Sequence, residues 1–268
     1  MDKTFIITFF KGFLIGSTMI IPGISGGSMA LILGIYDELI FAVSSFRENV
    51  KKNAVFLLLF SAGAGMGILV SSRPVSWLLE HYPMQTLYFF LGAVLGGIPA
   101  IEKKSGIKRI SPDVLFYLIL GFIIVFFIGR LPENFFTEFF HSWFSLFVGG
   151  LLSTVALILP GISFSHFLLI LGIYHDFLTS IYTIDLSFLA PLGAGLILGI
   201  VLFTKILGFW LEKYPKSAYL TILGFVLGSA ISIFPGFPSL LEIVPCTFFT
   251  AGGFVSIYLI SRKNCDCA

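Results

Sequence analysis

The sequence predicts an all-α polytopic membrane protein: a single membrane domain made of two inverted repeats, about 1–130 and about 143–262. Each repeat is expected to hold a re-entrant helical hairpin followed by three transmembrane helices. Three observations carry this expectation. Of the 268 residues, 57% are hydrophobic and only 11% charged, with a mean hydropathy of +1.02; soluble domains carry about a quarter charged residues. Apolar runs of spanning length recur from end to end, and no polar stretch is long enough for a soluble domain. Finally, the helix-breaking stretch Pro22-Gly23-Ile24-Ser25-Gly26-Gly27-Ser28 lies inside an apolar run and returns 138 residues later as Pro160-Gly161-Ile162-Ser163-Phe164-Ser165. Proline cannot donate a backbone hydrogen bond, and clustered glycines disfavour helix. In hydrocarbon such a break survives only where protein or a water-lined cavity satisfies the freed groups.

In chain order, residues 4–22 form the first apolar segment, interrupted by Lys11. The ten residues Gly12 to Ile21 make about 15 Å of helix, half of a ~30 Å hydrocarbon core. Met29 to Tyr36 supplies a second half-length piece of about 12 Å before Asp37 and Glu38. Two half-helices meeting at a glycine-rich tip predict a hairpin that leaves on the side it entered. Ala54–Ser72, stopping at Arg73-Pro74, Gln85–Ile101 and Val114–Gly129 are the three spans of the first half. The second half repeats the hairpin in Trp143–Leu159 and His166–Tyr174, with spans at Phe188–Gly208, Ala218–Phe234 and Cys246–Ser261. The N-terminus lacks a small-residue cleavage site and reads as part of the mature fold.

The repeat is legible residue by residue. Leu33-Gly34-Ile35-Tyr36 recurs as Leu171-Gly172-Ile173-Tyr174, and Leu79-Glu80-His81-Tyr82-Pro83 as Leu211-Glu212-Lys213-Tyr214-Pro215. Gly92 and Gly96 recur as Gly224 and Gly228, and Arg73 is matched by Lys205. Three crossings per half force the second half to start from the opposite face. On that topology 14 of the 16 Lys and Arg fall on the side of the N-terminus, leaving only Arg73 and Arg130 on the other. The positive-inside rule then places both termini in the cytoplasm.

Broken helices at matching places in two halves point to a transporter's binding site. A helix starting near Ser28 or Ser165 aims unpaired N–H groups at the tip, and glycines let a ligand approach the backbone. Gly23, Ser25, Gly26, Gly27 and Ser28, with Gly161, Ser163 and Ser165, are therefore candidate phosphate contacts; the alternative is a pair of structural kinks whose serines only cap helices. Arg73, whose fork suits phosphate, would serve a shared midplane site from outside and Lys205 from inside; an interfacial, snorkelling role is the alternative for Arg73. Lys11, Asp37, Glu38, Glu80, His166, His175, Asp176 and Glu212 are candidates for coupling or gating. Three cysteines, Cys246, Cys265 and Cys267, cannot form a disulfide framework, and the Cys265-Asp266-Cys267 tail has too few ligands for a metal. No cofactor, metal or nucleic-acid partner is expected; a homodimer stays open.

The run from Lys11-Gly12 through Pro22–Ser28 to Leu33–Tyr36, with Leu159-Pro160-Gly161-Ile162-Ser163 and Leu171–Tyr174, resembles the paired signatures of the bacterial polyprenyl-phosphate translocases, long catalogued as a domain of unknown function. The similarity covers nearly the whole chain. It implies a carrier in the bacterial cytoplasmic membrane that returns undecaprenyl phosphate from the outer to the inner leaflet, recycling it for peptidoglycan and other envelope polymers. The chain departs from the family pattern at Met19 and His175, where the family has acids, and at Phe164, where it has glycine. Residues alone reach an inverted-repeat carrier for an anion. A small-anion or ion-coupled transporter shares that architecture. A lipid phosphatase would need more than Ser72-Arg73-Pro74 with His81, because no second histidine-bearing motif accompanies them.

Overall fold

A computed structural model describes residues 3–19, 24–107, 111–136, 139–140 and 142–265. Every regular element among them is helical. The first half comprises α1 (Lys3–Thr18), α2 (Gly26–Ile32), α3 (Tyr36–Ser44), α4 (Val50–His81), α5 (Pro83–Ser105) and α6 (Pro112–Ile128). The second comprises α7 (Trp143–Ile158), α8 (Phe164–Leu171), α9 (Tyr174–Thr183), α10 (Leu186–Lys213), α11 (Pro215–Ile233) and α12 (Ile243–Cys265). Helices α4, α5, α10, α11 and α12 are long and apolar enough to cross a membrane, and the count reaches seven if each bent pair, α2–α3 and α8–α9, is one span. The chain is thus a multi-pass membrane protein. At 17 residues, α6 measures about 25 Å.

Several boundaries differ from the sequence expectation. Lys11, which interrupts the first apolar segment, lies within α1, and that helix ends at Thr18, short of Ile21. The helix expected over Met29–Tyr36 spans Gly26–Ile32 instead. It ends at Ile32, because Gly34 adopts a left-handed φ of 66° that turns the chain. A separate helix α3 follows at 112° to α2, and its first turn carries Asp37 and Glu38. Gly172, at φ 74°, does the same before α9, again with a 112° bend. Nor does the third segment stop at Arg73-Pro74: α4 continues through Pro74 to His81, as α5 does through Pro99 and α10 through Pro191. Proline removes one hydrogen bond, but in an apolar environment leaving the helix would strand several more.

Four helix pairs form the frame, and glycines set their separation. On α1, Gly12 meets Phe60 of α4 and Gly16 meets Ala64; in return Gly63 meets Phe9 and Gly67 meets Phe13. Positions rise together, so α1 and α4 run parallel. The α7–α10 pair repeats this with Gly150 against Leu192 and Gly199 against Thr154. The last helices are exchanged between halves: Gly92 and Gly96 of α5 meet Thr250 and Phe254 of α12, while Gly121 of α6 meets Thr221 of α11. These pairs are parallel too. Small residues at such crossings let backbones approach, the main source of packing energy between helices in lipid. A large buried cluster joins α2, α3, α5 and α11, and a smaller one fills the space around α7, α8 and α10.

Candidate functional site

The second break builds the clearest site. Helix α7 ends at Ile158, and Pro160 prevents its continuation. Gly161 then turns at φ 93°, where a Cβ would also strike the carbonyl oxygen of Phe225 on α11. Ser163 occupies the N-cap position of α8, yet its hydroxyl makes no capping bond; it lies 3.0 Å from the Ser165 hydroxyl. One hydroxyl donates to the other, so one O–H and the first N–H groups of α8 are left for another acceptor.

The break forms one wall of a cavity of about 890 Å³. Gly161, Ser163, Ser165 and His166 line it, together with the ends of α6 and α11, the α4–α5 turn and Met19 after α1. Much of the remaining wall is apolar, including Leu79, Leu87, Phe126, Ile231 and Phe234. His166 is half-buried, and its Nε2 is buried without a hydrogen-bond partner. Arg130 is the cationic residue of the lining, and its guanidinium stacks 3.9 Å from the centre of the Phe126 ring. Sequence reasoning put Arg130 on the outer face but gave it no role. The signal was present: an offset of 132 superposes Ile128-Gly129-Arg130 on Ile260-Ser261-Arg262, so each half carries an arginine near the end of its last apolar run.

The first break has another use. Pro22 and Gly23 lie outside the described residues. Ser25 donates to the Leu159 carbonyl at 3.3 Å, and Tyr36 to that of Ile158 at 3.2 Å. Gly27 packs so closely on Ile158 and Pro160 that a methyl group would be 2.8 Å from the Ile158 oxygen. The first tip therefore satisfies the carbonyls that the second break frees, as hydrocarbon demands. Gly26 lies against the Met19 side chain, and Ser28 is buried with an unpartnered hydroxyl. The structure brings the two tips into contact, and among the described residues of the tips those lining the cavity belong to the second.

The other candidates are dispersed. Arg73 is exposed on α4 and is not part of the cavity wall; it lies two residues beyond Ser71, which donates to Ser17 at 2.8 Å. Lys205 is exposed on α10, as are Glu38, Glu80, His175, Asp176 and Glu212 on their helices. Asp37 is the exception. It pairs with Lys104 of α5 and accepts from the Tyr219 hydroxyl of α11 at 2.7 Å. Half-buried Lys11 interacts electrostatically with Glu38 and Lys104. Cys246 is a buried free thiol, Cys267 lies outside the described residues, and no group of three or more metal-ligating side chains occurs among those described.

Residues 15–244, which include both breaks and Arg130, match the family described as undecaprenyl phosphate translocase-like. A polyprenyl-phosphate transporter of Vibrio cholerae is 28% identical over 245 residues, covering 86% of this chain and 78% of that protein. A polyprenyl-phosphate transporter of Staphylococcus aureus is 28% identical over 276 residues, covering 96% and 98% respectively. No solved structure matches the chain. The match through both helix breaks places this chain in the undecaprenyl phosphate translocase-like family.

Proposed function

We propose that the chain carries polyprenyl phosphate, in the form of undecaprenyl phosphate, from the outer to the inner leaflet of the bacterial cytoplasmic membrane by alternating access. The observation that carries this reading is the cavity at the second break. Its lining offers the Ser163–Ser165 hydroxyl pair, the start of α8, His166 and the fork of Arg130, beside many apolar residues. Phosphate oxygens need several convergent donors, and a prenyl tail needs apolar wall. Both relatives are named polyprenyl-phosphate transporters, and the family name agrees. Chemistry on the lipid is not part of the reading; this is a carrier, not an enzyme.

The finer topology belongs to the same proposal. The two halves, about 1–130 and 143–262, run in opposite senses, and the α1–α2 and α7–α8 segments are re-entrant hairpins. Parallel α1 and α4 support this, because α2 must bring the chain back to the side where α1 began. Parallel α5–α12 and α6–α11, with a single residue turning α4 into α5 and α10 into α11, support opposite senses for the halves. With both termini and the basic α5–α6 loop in the cytoplasm, the cavity opens outward. The conformation is then that of a carrier awaiting lipid from the outer leaflet. Arg73 and Lys205 act at the level of the tips from outside the cavity, in the weaker role of guiding an anion.

Purified protein in liposomes is expected to accelerate movement of labelled undecaprenyl phosphate between leaflets over protein-free liposomes, while inorganic phosphate stays outside. Equal rates with and without protein would refute the lipid assignment. Uptake of inorganic phosphate instead would establish the small-anion reading.

A further inference from the structure

We propose that Lys104 is the cation of a second phosphomonoester site, on the inner half of the carrier, and that in this conformation the Asp37 carboxylate occupies it in place of the head group. The inference rests on the carrier reading above and extends it to the release side.

The repeat offers an internal comparison. Leu79 and Leu87, half-buried, line the outer cavity, whereas their counterparts at an offset of 132, Leu211 and Tyr219, are buried. His166, with its unpartnered Nε2, corresponds at an offset of 138 to Ser28, whose hydroxyl is likewise buried and unpartnered. One half holds a cavity, and the matching residues of the other have closed over the same space. A polar atom left without a partner in the closed half marks a group whose partner arrives in another state.

At the mouth of the closed half, the Lys104 ammonium lies 2.5 Å from one Asp37 oxygen, and Tyr219 donates to that same oxygen. The contact joins α3, α5 and α11. It has no equivalent on the open side, where Asp37, Lys104 and Tyr219 correspond to His175, Gly236 and Leu87. It is therefore not scaffold common to both halves. The carboxylate also fits imperfectly, since its second oxygen is buried without a partner. With side chains still 30% and 27% accessible, the pair is in contact with solvent, which lowers its net strength and lets it open. A phosphomonoester brings three acceptor oxygens and up to two charges, matching Lys104, Tyr219 and the nearby Lys11 better than one carboxylate does. Opening the inner half would separate Asp37 from Lys104 and let the head group take its place. Release follows when the carboxylate returns.

A purely structural tie and a ligand site predict different outcomes. An Ile101→Cys reporter, in protein whose native cysteines are replaced, reads opening through labelling by an impermeant maleimide from the inner face. Asp37→Asn is expected to raise that labelling about tenfold. Affinity for undecaprenyl phosphate, measured in nanodiscs, is expected to fall about tenfold when Lys104→Gln is added to Asp37→Asn, while Lys104→Arg in the same background retains it. A tie alone would make Asp37→Asn, Lys104→Gln and the double variant alike in both readouts. Unchanged labelling in Asp37→Asn, or affinity indifferent to Lys104, would overturn the proposal. Wild-type binding separates the two failures: its absence refutes the carrier reading as well, whereas intact binding without dependence on Lys104 refutes the inner site alone.

Discussion

Arg130→Ala is expected to slow transport of undecaprenyl phosphate about thirtyfold, whereas Arg73→Ala changes it by less than about twofold. Arg130 stands in the cavity wall, braced on Phe126, with its fork free for phosphate oxygens. Removing it takes the strongest donor from the site and leaves the apolar wall intact. Uncharged polyprenol should therefore bind the variant as it binds the wild type. Lysine at this position keeps the charge but loses both the planar fork and its stacking on the ring, so Arg130→Lys is expected to fall between, about fivefold slower. Initial rates in liposomes as a function of lipid concentration provide the measurement. Equal losses at Arg73 and Arg130 would show that position in the cavity is irrelevant and that net outer charge drives uptake.

Membrane class and the two broken helices were legible because composition and proline–glycine clusters act locally. The exchange of α5 and α6 between halves was not legible, since it depends on which of many glycines meets which backbone. Helices α3 and α9 were hidden for a specific reason. Each begins just after Leu-Gly-Ile, in residues that read equally well as the end of the preceding helix. Only the left-handed turns at Gly34 and Gly172 separate the two directions. Pro74 misled in the opposite sense: a helix stop in water is merely a local defect where no water waits for the freed backbone. Arg130 stood directly after the span Val114–Gly129 and counted only toward the charge asymmetry. Its counterpart Arg262 marked it, through the same offset that paired Arg73 with Lys205. Offset reasoning identified equivalent positions, but only the fold could say which pair faces a cavity.

The second large effect is expected at two adjacent glycines. Gly253→Ala should lower the apparent Tm by roughly 5–10 °C and transport with it, while Gly252→Ala leaves Tm unchanged or raises it slightly. A methyl group on Gly253 would fall on the carbonyl oxygen of Phe89, well inside van der Waals contact; one on Gly252 would meet nothing within 4 Å. Backbone cannot step aside as a flexible side chain can, so α5 and α12 would have to separate, at about 1–3 kcal/mol. Alanine at Gly252 instead adds up to about 1 kcal/mol of helix propensity. The counterpart of Gly253 is Gly121, whose added methyl would strike the Thr221 carbonyl oxygen, so Gly121→Ala should reproduce the loss. The consequence for mechanism is direct. Pairs clamped backbone to backbone move as units, and α5–α12 and α6–α11 each take one helix from either half. A switch between outer and inner opening must then occur between pairs, at looser contacts such as Gly208 against Ile40 and Ser44, where neighbours are side chains 3.3–3.6 Å away. Thermal melts of the three variants, each paired with liposome transport, test this: a Gly253→Ala protein with unaltered Tm would show that α5 and α12 are not clamped.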